Sequence, residues 1–227
     1  PQIAENLTGS DTLPIPDACP VCGGATKIEQ VNDVQSLYCT NPDCDAKKLK
    51  AFTLFVSRDA MNIDGLSEAT LEKFLGRGYL HTFADLFHLG KYEEEIIEME
   101  GFGEKSFRNL MESLERARKT TLPRVIYGLG IANIGLANAK MLCREYHDDL
   151  ERMMEADVEE LSLIDGIGGA IAGTFHDYWQ SETNRKNMKK LLKELEIEQI
   201  EVDESALTLQ GKVFVVTGSL EHFDGRS

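Results

Sequence analysis

The sequence predicts a mainly α-helical protein, with a small four-cysteine module in front and the opening of an α/β segment behind. Three observations carry this. A short pattern recurs four times through the middle of the chain, four cysteines stand in two close pairs before it, and an apolar run, Val213-Phe-Val-Val216, follows it. Hydrophobic residues make up 42% of the 227, enough to fill packed cores. No stretch of about 18 apolar residues offers a membrane span.

The repeated cores are Asp64-Gly65-Leu66-Ser67, Glu100-Gly101-Phe102-Gly103, Ala132-Asn133-Ile134-Gly135 and Asp165-Gly166-Ile167-Gly168. Their last residues, 67, 103, 135 and 168, are 36, 32 and 33 positions apart. An apolar residue precedes each of them. Four positions on come Leu71, Phe107, Ala139 and Ala172, and seven positions on come Phe74, Leu110, Leu142 and Phe175. Spacings of 4 and 7 lie on one helix face, so each copy reads as a tight turn opening a helix buried on one side. This is the helix-hairpin-helix pattern. Its glycines permit positive φ, and turn and helix amides together form an anion site that can hold a phosphate backbone without reading sequence. Four ordinary helix–turn–helix packings are the competing reading, because glycine at a helix boundary is common. The expected DNA-binding residues are Gly65, Leu66, Gly101, Gly103, Lys105, Asn133, Gly135, Gly166 and Gly168. Positive φ at Gly103 or Gly168 would make a β-branched replacement there disturb the turn. Ser67 replaces the second glycine, which makes the first turn the weaker clamp, and Asn133 replaces the first glycine of the third copy, where asparagine tolerates the left-handed region.

The four cysteines are Cys19, Cys22, Cys39 and Cys44, with sixteen residues between Cys22 and Cys39. Two close pairs separated by a short segment is the spacing of a tetrahedral zinc site whose four thiolates leave no open position, hence a structural metal. Gly23 and Gly24 let amides approach the thiolates, Asn41-Pro42-Asp43 is a turn, and Ile28–Val31 and Ser36–Cys39 read as short strands. Disulfides are the rival, disfavoured by the lack of an export signal at the start of the chain. Cys143 and His147, four apart, would share a helix face as an activated thiol; a buried core thiol is the simpler reading.

Other elements follow in order. Residues 46–56 read as a helix leading onto the first repeat, with helices over 104–118, 136–146, 158–163 and 183–195. Trp179 and Tyr178 read as core rather than base-stacking residues. Residues 194–205 read as an acidic linker. The chain carries 39 acidic against 24 basic residues, net −15. That charge opposes nucleic-acid binding, although backbone-amide sites need little side-chain charge. The organisation is therefore 1–16 linker, 17–46 cysteine module, 47–197 hairpin domain, 198–207 linker and 208–227 the start of a further domain. The absence of an initial Met suggests a fragment.

The order cysteine site, four hairpins, then Gly211-Lys-Val-Phe-Val-Val-Thr-Gly218 resembles the C-terminal half of bacterial NAD-dependent DNA ligases. Cys19-Pro-Val-Cys22-Gly23, Phe55 through Leu66, and Leu129-Gly-Ile-Ala-Asn-Ile-Gly135 carry the likeness most specifically. The resemblance implies that residues 1–16 end an OB-fold, that 208–227 begin a BRCT domain, and that the hairpins hold duplex DNA across its minor groove. It further implies a cytoplasmic enzyme of replication and repair that seals nicks with NAD and magnesium. Its adenylation lysine and OB-fold residues would lie upstream, so no catalytic residue is named, and the fragment alone is expected to be inactive. The partners implied are nicked double-stranded DNA and those upstream domains in cis, with no membrane. A non-catalytic hairpin scaffold of a repair or recombination complex is the alternative, and a protein-binding helical array a third.

Overall fold

A computed structural model describes residues 14–31 and 34–199. Residues 1–13 and the whole of 208–227, on which the OB-fold and BRCT expectations rest, lie outside them apart from 14–16. The described chain is mainly helical. Strands β1 (Thr26–Val31) and β2 (Val34–Cys39) form an antiparallel hairpin, with Thr26 opposite Cys39 and Ile28 opposite Leu37. Cys44 then caps helix α1 (Asp45–Val56), which buries Phe52, Phe55 and Val56.

Helix α2 (Glu68–Gly76) completes the first hairpin. A 3₁₀ segment, Phe83–Tyr92, runs into the short α3 (Glu93–Ile97), and α4 (Glu104–Ala117) completes the second. Helices α5 (Leu122–Gly128) and α6 (Leu136–Glu145) frame the third. After α7 (Leu150–Glu155), the fourth is framed by α8 (Val158–Ser162) and α9 (Gly169–Gln180), and α10 (Glu182–Leu192) closes the body. Residues four and seven places into each repeat are all buried, from Leu71 and Phe74 to Ala172 and Phe175. The helix face read from the spacing is the face that packs. These residues join one continuous core running from Phe52 to Leu191, with Trp179 inside it and Tyr178 packed against it. Among the described residues, no helix is long and apolar enough to cross a membrane.

Two expectations need correcting. The last helix ends at Leu192, three residues short of the expected Leu195, and Glu194 is no linker residue. Its carboxylate accepts from Arg118 (3.0 Å) and pairs with His88 (3.0 Å), and its carbonyl also takes an Arg118 N–H. The chain then pairs as a two-residue strand β4 (Glu196–Ile197), parallel to β3 (Lys119–Thr120). The Glu196 amide donates to the Arg118 carbonyl and that of Glu198 to Thr120, bonds that a continuing helix would forgo.

The hairpins couple in two pairs. Counting from Ser67, Gly103, Gly135 and Gly168 as position zero, Thr174 at +6 of the fourth donates its hydroxyl to the Ala132 carbonyl at −3 of the third, 2.9 Å away. In return Met141, at +6 of the third, covers Gly166 so closely that a Cβ there would lie 2.2 Å from its methyl carbon. The first pair repeats the arrangement: Lys73, at +6 of the first, reaches the Glu100 carbonyl at −3 of the second, and Leu110 of the second packs on Gly65. Each turn is thus braced by the helix of its partner.

Candidate nucleic-acid interface and metal centre

Each turn is shaped by one residue at positive φ: Gly65 (88°), Gly101 (86°), Asn133 (64°) and Gly166 (84°). In the last three a backbone bond closes the turn, Phe102 to Met99, Ile134 to Ile131 and Ile167 to Ile164, at 2.9 to 3.0 Å. This is the four-residue turn that demands a left-handed third residue, and asparagine tolerates that region better than most non-glycine residues. Asn133 is further steadied by Asn138, whose side-chain amide donates to its carbonyl at 2.9 Å. In the first hairpin the Asp64 amide donates instead to the buried Ser113 hydroxyl at 2.8 Å. Leu66 is buried and offers only backbone.

The expectation about the second glycines is corrected. Gly103 (φ −174°) and Gly168 (φ −77°) are extended helix caps, as is Gly135, and none is at positive φ. No atom lies within 4 Å of where a Cβ would stand at any of the three. Glycine there is required by no turn geometry; it keeps the approach to the helix amides open. Helices α4, α6 and α9 accordingly begin with no side-chain cap, leaving first-turn N–H groups directed outward. Ser67 behaves differently: its hydroxyl accepts from the Thr70 amide at 3.2 Å and bonds the Thr70 hydroxyl at 2.9 Å. The first helix therefore satisfies one of its own free donors. Charge divides the hairpins differently, placing the second with the first. Glu68 and Glu104 open α2 and α4, whereas the first turns of α6 and α9 carry no acid. Lys105 is exposed at the second position of α4. The sequence pattern alone does not single out Lys73, Met141 and Thr174, which share the +6 offset, or Asn138 at +3.

The four cysteines converge. Their sulfur atoms all lie within 4.8 Å of one another. Cys19 and Cys44 are 3.9 Å apart, and Cys22 and Cys39 are 3.5 Å apart. A disulfide needs about 2.05 Å, whereas a tetrahedron with metal–sulfur bonds of about 2.3 Å has edges of about 3.8 Å. The set fits a metal ion. Gly23 turns the chain at φ 68°, and the Gly24 amide donates to the Cys22 sulfur at 3.4 Å. A Cβ on Gly24 would meet Asn41 at 2.9 Å and that sulfur at 3.3 Å, so no larger residue fits. The Gly24 amide, then Asn41, hold the Cys22 thiol down to about 6, while burial pushes Cys39 up to about 11. These opposed pulls leave the cluster short of four thiolates at neutral pH until a cation compensates their charge. Cys143 belongs elsewhere: it is buried in the core, burial and then Asp148 push its thiol up, and His147 sits past the helix end at positive φ. It is a core thiol.

The fold and turns define the chain as a helix-hairpin-helix protein, and the family model described as the helix-hairpin-helix motif matches residues 124–188, the second hairpin pair. Over its whole length the chain is a relative of a C-terminal part of bacterial DNA ligases. It is 55% identical over 227 residues to the DNA ligase of Lachnoclostridium phytofermentans, covering all of this chain and 35% of that protein. The DNA ligase of Ruminiclostridium cellulolyticum is 49% identical over 226 residues, 100% of this chain and 34% of that protein. That of Chlamydia felis is 34% identical over 213 residues, 94% of this chain and 31% of that protein. The chain thus spans about a third of the length of these relatives.

Proposed function

We propose that this chain is the duplex-holding part of an NAD-dependent DNA ligase, gripping the sugar-phosphate backbone of nicked DNA through hairpin amides without reading sequence. The observation that carries this reading is the set of three uncapped helix N-termini behind Gly103, Gly135 and Gly168, each opening onto unobstructed space. Free N–H groups at a helix start, aided by the helix dipole, are a ready anion site. The second pair presents two such sites free of first-turn acid, and it is the pair that the motif model matches. It supplies the main grip, and the first pair, with Ser67 self-capped, the lesser share.

The cysteine module at 17–46 holds a structural zinc through Cys19, Cys22, Cys39 and Cys44, fixing the finger against the hairpin body at 47–197. Adenylation with NAD, magnesium-assisted phosphoryl transfer and nick sealing in replication and repair belong to the remaining two thirds of such a ligase, including OB-fold and adenylation domains in cis. This chain alone joins no DNA. A cytoplasmic setting follows from that role. The BRCT reading of 208–227 stays a proposal from sequence alone.

Fluorescence anisotropy with nicked and intact duplexes at 50 and 200 mM salt, with zinc assayed on the same sample, tests the reading. Binding indifferent to sequence that weakens steeply with salt, with one zinc per chain, is expected. Salt-insensitive or absent binding would turn the assignment toward a protein-binding array.

A further inference from the structure

The second hairpin poses an electrostatic difficulty. Its helix opens with Glu104 and its turn carries Glu100, so an anion arriving at the α4 amides meets two carboxylates on its own element. Lys105 offers one remedy on α4 itself, and a second cation comes from another hairpin. Lys73, in the last turn of α2, extends its ammonium onto the second turn and donates to the Glu100 carbonyl at 3.1 Å. An ammonium has three N–H donors, and the carbonyl takes one. Two remain at the turn, three residues ahead of the extended cap Gly103, which no side chain obstructs.

The counterpart in the second pair sharpens this. Thr174 occupies the same +6 position and reaches the Ala132 carbonyl at 2.9 Å, its one hydroxyl proton shared with the Ile171 carbonyl of its own helix at 3.0 Å. It holds the turn but brings no charge, and none is needed there, since α6 begins without an acid. A neutral latch stands beside the turn without a first-turn acid, and a cationic one beside the turn with a first-turn acid.

We propose that Lys73 of the first hairpin completes the phosphate site of the second, serving both as the latch on the Glu100 carbonyl and as a direct phosphate contact. This rests on the backbone-grip reading above. Lys105 and Arg108 lie on α4 itself; Lys73 is the cation that a partner hairpin delivers.

The test measures duplex affinity of the 227-residue chain between 50 and 250 mM salt for the wild type, Lys73→Gln and Lys73→Arg, with thermal melts alongside. Each phosphate contact contributes about 0.9 to the slope of log affinity against log salt. Lys73→Gln should lower the slope by about that amount and weaken different sequences equally, and Lys73→Arg should retain it. A Lys73→Gln slope equal to that of a salt-sensitive wild type overturns the proposal. A wild type that binds no duplex overturns the backbone-grip reading and this inference with it. Lys73 is exposed, and coinciding melts show that the variants fold.

Discussion

Gly166 and Gly168 are two residues apart in one turn, yet they answer to different constraints. Gly166 is held at φ 84° with the Met141 methyl against it, while Gly168 is extended with open space beside it. Gly166→Ala should therefore cost at least about 1 kcal/mol from the left-handed backbone alone, with more from displacing Met141, and urea denaturation will register it. Gly168→Val should cost less than that, because its backbone is already extended and the space beside it is open, while a side chain over the α9 amides lowers duplex affinity, read by anisotropy. Equal effects of both replacements on stability would contradict the assignment. The sequence shows only two glycines in a row of four residues. Which of them bears the positive φ depends on where the turn closes, and that is a property of the folded backbone rather than of composition.

Elements were legible where they repeat. Helices α2, α4, α6 and α9 declare themselves because a turn signal and apolar residues at +4 and +7 recur together, and β1 and β2 because two cysteine turns bracket them. The 3₁₀ segment Phe83–Tyr92 and α7 carry no such turn, and the β3–β4 pairing joins residues 77 positions apart, with Lys119 opposite Glu196 and an exposed ion pair between them at 3.7 Å. The start of the 3₁₀ segment does carry a local signal. The Asp85 carboxylate accepts from the His81 and Thr82 amides at 2.9 and 2.7 Å. Burial works to raise its pKa, but these bonds outweigh it and hold the group below its ordinary 3.8. A lowered folded-state pKa gives stability that is present above the unfolded value and lost as pH falls through the folded one. Asp85→Asn should cost about 1 kcal/mol at pH 7, in the range of helix caps, and the gap from wild type should narrow below pH about 4. Urea midpoints at pH 7 and pH 3 check it; a gap independent of pH would show that the carboxylate charge plays no part.

For the whole molecule, two regions are stabilised by unlike forces. The hairpin body rests on a core continuous from Phe52 to Leu191, whereas in the cysteine module Ile28, Leu37 and Tyr38 are 42–49% exposed and the buried members are Cys19 and Cys44. A strong chelator at neutral pH should therefore unfold the module and free four thiols to a colorimetric reagent while the helical circular dichroism stays nearly constant. A cooperative loss of helix on chelation would show instead that the metal holds the whole molecule. The net charge of −15 is likewise a global quantity. A sum over the chain conceals that the first turns of α6 and α9 are free of acid, and a ligand meets the local surface, not the sum.

Cys44 is at once the last sulfur of the cluster and the residue that caps α1, with its carbonyl accepting the Lys47 and Lys48 amides at 2.9 and 3.0 Å. No hinge separates them. An α-helix advances about 100° and 1.5 Å per residue, so the finger is phase-locked to the hairpin body like a key to its shaft. One residue added to the first turn of α1 would swing the finger by about a quarter of a revolution, whereas the same insertion beyond β4 would leave its bearing untouched.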